Sequence, residues 1–210
     1  MNGIRRLAAG TLIVAIGIAS VGCAKAKSKD DIAHAYTDIG AQWVGNTMDP
    51  YEDGRNFRAE DGIFTVADDE KAQDIYDELA KGYNGLRDCE VEEASYYVET
   101  STYDDLQLNT YVITVTFKNK EDADLMFEEN CDEFEQFNNK KSNLFGKYML
   151  VYQEDFNVIS GYDLTRESGI YQFGNQVVYI YSLHPTDRDD KAVGEICEVL
   201  NLADPIKAKD

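Results

Sequence analysis

The chain has 210 residues and a formal net charge of −20, from 40 acidic side chains against 20 basic ones. A surface this acidic repels phosphate backbones, which argues against nucleic acid as a partner. With only two histidines, His34 and His184, a histidine-based triad or metal site has few possible members.

Two arginines, Arg5 and Arg6, precede an uncharged, mostly apolar run from Leu7 to Val21. Small residues and a cysteine follow, the order of a secretory signal. From Leu7 to Gly22 the uncharged stretch is 16 residues, short of the roughly 20 apolar residues that cross a bilayer core. Cleavage is therefore expected rather than a span. Ser20-Val21-Gly22-Cys23 resembles the lipobox of bacterial lipoproteins, with Ser20 standing where that family more often has a large aliphatic residue. The resemblance covers the signal peptide alone, and no family is recognised for the domain behind it. It implies a diacylglyceryl group on the Cys23 thiol and a cut just before it. Residues 1–22 are then a lipoprotein signal peptide and Cys23 is the lipid-attachment residue. The protein is expected at the cell membrane, lipid-anchored on its extracytoplasmic face, since two acyl chains hold stably where one is marginal.

Residues 23–29 read as a lysine-rich tether and 30–205 as a single α+β domain. Three cysteines remain beyond Cys23, namely Cys89, Cys131 and Cys197. An odd count leaves at least one thiol unpaired within the chain, and no CxxC spacing suggests redox or zinc chemistry.

Ile32, Ala35, Tyr36, Ile39 and Trp43 recur at helical spacing and predict an amphipathic helix from Asp30 to about Thr47. His34 lies off this stripe and reads as a solvated helix residue. The loop from Met48 to Gly62 places Asp49, Asp53, Gly54 and Glu60 at positions 1, 5, 6 and 12 of an EF-hand loop. Tyr51 occupies the third position, where an oxygen ligand is needed, and Ile63–Val66 reads as a strand, not a helix. No metal site is expected.

A second helix is predicted over Asp68–Tyr83, with Ala72, Ile75, Tyr76, Leu79, Ala80 and Tyr83 on one face. Strands follow over Val91–Thr100 and Leu108–Phe117, joined by a turn at Tyr103-Asp104-Asp105. Asn119 caps a third helix reaching Phe137, whose face of Ala123, Met126, Phe127, Cys131 and Phe134 makes Cys131 a core thiol. Asn138–Asn143, with Lys140 and Lys141, reads as a polar loop and Phe145–Tyr152 as a strand. A second loop is expected over Ser160–Ser168. Gly174-Asn175 between the apolar runs Ile170–Phe173 and Gln176–Leu183 signals a tight hairpin. The last helix, Thr186–Leu200, puts Ala192, Val193, Ile196, Cys197 and Leu200 on one face. His184 sits before Pro185 with no acid or nucleophile in register.

Asp69-Glu70-Lys71-Ala72 leading to Tyr76 and Lys120-Glu121-Asp122-Ala123 leading to Phe127 look alike, as does Asp189-Asp190-Lys191-Ala192 before Ile196. Acids in a first turn followed by a small sheet-facing residue are ordinary helix-start chemistry, the simpler account than duplication. The element order from Ile63 to Tyr152 is β-α-β-β-α-β, the ferredoxin-like pattern. The predicted fold is thus α+β: an antiparallel sheet with helices packed on one face, an N-terminal helix before it and a C-terminal hairpin plus helix after it.

No GxSxG, P-loop, HExxH or dinucleotide glycine fingerprint is present. No catalytic residue, cofactor or cofactor-binding residue is assigned. Many of the 14 tyrosines fall on strands, where sheet packing explains them. Tyr179 and Tyr181 share one side and would form a binding surface if the sheet face opposite the helices were open. The expected function is a non-enzymatic lipoprotein whose partners are the membrane, through its anchor, and an unknown protein or small-molecule ligand. The alternatives are a carboxylate-dependent extracytoplasmic hydrolase and a structural envelope protein.

Overall fold

The computed structural model describes residues 25–45, 62–80, 89–104, 106–135, 140–143, 146–154, 156, 161–186 and 191–208. Cys23 and the EF-hand-like positions Asp49, Asp53, Gly54 and Glu60 lie outside them, as do Tyr83 and Phe137. Among the described residues no helix is long and apolar enough to cross a membrane.

The first helix, α1 (Lys29–Asp38), opens on a capping box in which Ser28 Oγ accepts from the Asp31 amide while the Asp31 carboxylate accepts from the Ser28 amide. Ile32, Ala35 and Tyr36 form its buried stripe, as the periodicity predicts. It ends well before Thr47, because Gly40 adopts φ +86° and turns the chain. The amides of Gly40 and Ala41 then bond back to the carbonyls of Thr37 and Tyr36. Trp43 consequently sits in a two-residue strand, β1 (Gln42–Trp43), and is 55% exposed.

Next come β2 (Ile63–Asp68), α2 (Asp69–Ala80), β3 (Val91–Tyr103) and β4 (Leu106–Phe117). The β3–β4 turn falls where predicted, with Asp104 at φ +51° and Tyr103 facing Leu106. α3 (Lys120–Glu135) is capped by Asn119, whose side-chain oxygen accepts from the Asp122 amide at 2.8 Å. Lys140–Asn143, expected as a loop, forms an edge strand, β5, paired with β6 (Gly146–Gln153). A short lysine-bearing edge is a common defence against pairing with other chains. β7 (Leu164–Phe173) and β8 (Gln176–Pro185) make the expected hairpin, turning at Gly174 with φ +65°. The sequence α4 (Ala192–Leu200) ends at Asn201 in the left-handed region, and a short 3₁₀ turn follows at Pro205–Ala208.

β7 starts earlier than expected. Thr165, Arg166, Glu167 and Ser168 are buried strand residues, not loop. Their polarity hides the strand, which lies between β6 and β8 and is covered along almost its whole length.

Among the described residues eight strands form one sheet in the order β1-β2-β3-β4-β8-β7-β6-β5. All neighbours are antiparallel except the β1–β2 pair. Two three-stranded meanders, β2-β3-β4 and β6-β7-β8, thus join edge to edge through β4 and β8. The α+β class stands, but the sheet is larger than expected and lacks the ferredoxin-like arrangement. A βαβ unit makes its two strands parallel; here β2 and β3 flank α2 yet pair antiparallel with each other.

Helices pack on both faces, which corrects the one-face expectation. α2 and α3 cover one core, where Ala72, Tyr76, Ala123 and Phe127 meet Val115, Phe117, Val177 and Ile170. α1 and α4 cover the other, where Ile32, Tyr36, Ile196 and Leu200 meet Phe64, Val112, Leu150 and Ile180. The physical reason is visible in the strands. Val112 and Val115 of β4 point to opposite faces and are both 0% exposed, so both sides of the sheet need a cover. The look-alike helix starts divide accordingly: Ala72 and Ala123 are fully buried on the same face, whereas on α4 it is Val193 that turns inward.

Asp124 clasps α3 to the sheet. Its carboxylate accepts from Gln172 Nε2 on β7 at 2.8 Å and from Lys147 Nζ on β6 at 3.1 Å, and also pairs with Lys120. Lys120, Gln172 and Lys147 hold this carboxyl well below the usual aspartate range. A lowered native pKa gives stability that is complete above the unfolded-state value of about 4 and fades as pH falls below it. Asp124→Asn is therefore expected to flatten the acid limb of the stability curve, followed by urea unfolding below about pH 4. An unchanged acid slope contradicts the clasp.

Candidate functional site

The site is built where β7 and β8 pass beneath α4. Register aligns Thr110, Ser182, Glu167 and Tyr152 in one row across β4, β8, β7 and β6, on the face covered by α1 and α4. Thr110 and Ser182 share a hydrogen bond of 2.6 Å. One step along β8 lies His184. Its Nε2 stands 3.5 Å from Glu167 Oε1, and both residues are 5% exposed. That separation is an electrostatic contact longer than a hydrogen bond. His184 Nδ1 lies 3.1 Å from its neighbour's carbonyl, Pro185 O. Both ring nitrogens thus face oxygens, Nδ1 within hydrogen-bond distance and Nε2 beyond it.

Along the outer flank of α4 a cleft of about 460 Å³ is lined by Glu167, Lys191, Gly194, Glu195, Glu198, Asp204 and Ile206, so that of the sheet residues above it reaches Glu167 alone. Glu195 and Glu198 lie one turn apart on α4, and Lys191 precedes Glu195 by about one turn. Four carboxylates face one ammonium, so the cleft favours positive charge. Gly194 supplies a wall without a side chain and Ile206 an apolar patch.

The wall that carries Asp204 and Ile206 is held from below. Tyr171 Oη donates to Ala203 O, and Tyr171 is 1% exposed. Gly169 makes this reach possible, because a Cβ there would come within 2.4 Å of Tyr171 Oη and 2.7 Å of its ring. Leu202 N bonds Cys197 O at 2.7 Å, fixing the turn out of α4.

On the opposite face Arg166 is 8% exposed, with Cζ 5.2 Å from the Tyr181 ring and 5.5 Å from that of Phe156, and its Nε donates to Ser168 Oγ at 3.1 Å. Tyr111 stacks on Tyr181 at 5.1 Å. Tyr179 is 5% exposed, buried under the helix layer, so Tyr179 and Tyr181 do not form the open tyrosine face that sequence suggested.

His34 is exposed on α1, as expected. Cys89, Cys131 and Cys197 are buried, and among the described residues none is joined in a disulfide. Among those residues, too, no group of three or more His, Cys, Asp and Glu side chains is placed to hold a metal ion. Glu167 and His184 are the pair that sequence reasoning missed. The hairpin signal at Gly174-Asn175 contains the clue, since counting outward from that turn brings Thr165 opposite His184 and Glu167 opposite Ser182.

No protein-family model matches the chain, and neither a curated protein nor a solved structure matches it.

Because Gly169 makes room for Tyr171, Gly169→Ala is expected to destabilise the domain by about 1–3 kcal/mol, the range for overpacking a core. Thermal unfolding at neutral pH measures it, and a neutral effect would show that Tyr171 does not hold the cleft wall.

Proposed function

We propose that this chain is a lipid-anchored extracytoplasmic binding protein, held at the membrane through Cys23, whose cleft beside α4 takes a small organic cation. The observation that carries the ligand class is the lining: four carboxylates, one lysine and one exposed isoleucine around about 460 Å³. That volume lies within the range of small-molecule sites. A cationic group meets Glu195 and Glu198 at the rim and Glu167 at the floor, while Ile206 contacts an alkyl portion. Lys191 limits how many positive charges fit. The lipobox-like Ser20-Val21-Gly22-Cys23 supports the anchor.

A second reading is favoured by the same convergence. Glu167, Glu195 and Glu198 around one cleft supply the carboxylates that a hydrolase of the glycosidase type needs. A purely structural envelope role has no use for such a cleft.

The test is calorimetric titration of the full-length protein with spermidine and with arginine at physiological salt. The expected result is saturable one-to-one binding of at least one probe, weakened about tenfold by Glu195→Gln/Glu198→Gln. Glu121→Gln/Glu128→Gln on the exposed side of α3 removes the same charge elsewhere and is expected to leave it unchanged. Equal weakening by both pairs would reduce the effect to net charge and contradict the site. Turnover in a hydrolase screen, lost in Glu195→Gln/Glu198→Gln, would favour the second reading.

A further inference from the structure

We infer that the domain stands on the membrane on the Gln176 end of its sheet, so that the floor of the α4 cleft, at Glu167, is held away from the lipid. This rests on the proposed lipid anchor at Cys23. The observation behind it is a clamp on the chain just after that residue. The Lys27 amide donates to Gln176 Oε1 at 2.9 Å, and Gln176 Nε2 donates to Lys27 O at 2.7 Å. Gln176 is 2% exposed and is itself braced by Thr116 Oγ1 at 2.9 Å. Next in the chain come the Ser28 capping box and the ion pair of Lys29 with Asp68. Lys27–Lys29 is therefore part of the folded domain and not a free tether.

Only four residue steps separate Cys23 from Lys27, a reach of at most about 14 Å. The Gln176 end, which also carries the Gly174-Asn175 turn, Lys118 and the start of α3, must then lie close to the acylated cysteine. Glu167 is six residues back along β7 from Phe173, the partner of Gln176. At about 3.3 Å per residue the floor of the cleft lies about 20 Å further out. Leu164, at the far end of the same strand, lies about 30 Å from Phe173.

Charge is secondary here. Lys27, Lys29, Lys118 and Lys120 gather at the clamped end, but Asp30, Asp31 and Glu121 offset them. The clamp, not attraction to anionic headgroups, sets the orientation.

The test uses the full-length chain processed in a lipoprotein-maturing host and reconstituted into phosphatidylcholine–phosphatidylglycerol vesicles that carry headgroup-attached nitroxide. A fluorophore is placed at Lys118→Cys, at the clamped end, or at Asp163→Cys, before β7 at the other end. Both positions are exposed, whereas Cys89, Cys131 and Cys197 are buried. The mass of the mature N-terminus reports acylation in the same sample. The expected result is an acylated chain quenched several-fold more strongly at position 118 than at 163. A flexible Gly/Ser insert of about 20 residues between Ala24 and Lys25 gives a reach of about 25 Å; it leaves the clamp intact and is expected to erase most of the difference. Equal quenching at the two positions in an acylated chain overturns the orientation alone. An unacylated chain overturns the anchor and the orientation together, and the mass identifies that case.

Discussion

The structure depends on one seam. β4 and β8 pair over seven registered positions, from Thr110 opposite Ser182 to Thr116 opposite Gln176, and bonds between Phe117 and Asn175 extend the junction of the two meanders to the β7–β8 turn. Val112, Val115, Val177 and Ile180 straddle the seam and are 0% exposed. Burying each such side chain contributes about 1.5–3 kcal/mol, so the seam is a core in its own right. Because these residues point alternately to the two faces, two helices on one side cannot cover them. α2 and α3 close one face, α1 and α4 the other. The N-terminal clamp hangs on the seam directly, since Gln176 of β8 grips Lys27, and the cleft does so at one remove, since its floor residue Glu167 pairs with Ser182 of β8.

Much of the fold was legible because it is local. The stripe of Ile32, Ala35 and Tyr36, the alternation in Leu108–Phe117, the Asn119 cap and the Gly174-Asn175 turn are all short-range signals, and each element formed. Helix ends were harder to read. Gly40 stops α1, but Trp43 stands at helical spacing beyond it and extends the apparent stripe. Tertiary packing decides there, and it puts Trp43 on an edge strand.

What sequence could not show is long-range. Which face a helix covers depends on the path between elements and not on its own pattern, so α1 and α4 could not be assigned a side. Arg166 and Glu167 looked like loop residues because two adjacent charges rarely enter a core. The structure accommodates both by sending them to opposite faces of β7. Arg166 lies against aromatic rings and Ser168, and Glu167 faces His184. The candidate site was hidden for the same reason. Its floor is assembled by hairpin register and its rim by a helix and a turn further along the chain. The lipobox-like segment is the opposite case, a signal contained in a few neighbouring residues.

The strands of the seam also run from the clamped end to the cleft end, so one rigid sheet connects the place where the chain leaves toward Cys23 with the place where a ligand would enter. That arrangement works only if the two meanders behave as a single body. Native-state hydrogen exchange tests this most directly. The protected amides of β3, β4, β7 and β8 are expected to exchange with one common free energy equal to that of global unfolding, with β1 and β5 exchanging faster at the edges. A lower, separate opening energy for β6-β7-β8 than for β2-β3-β4 would show that the seam is a contact between two independent units, and would contradict it.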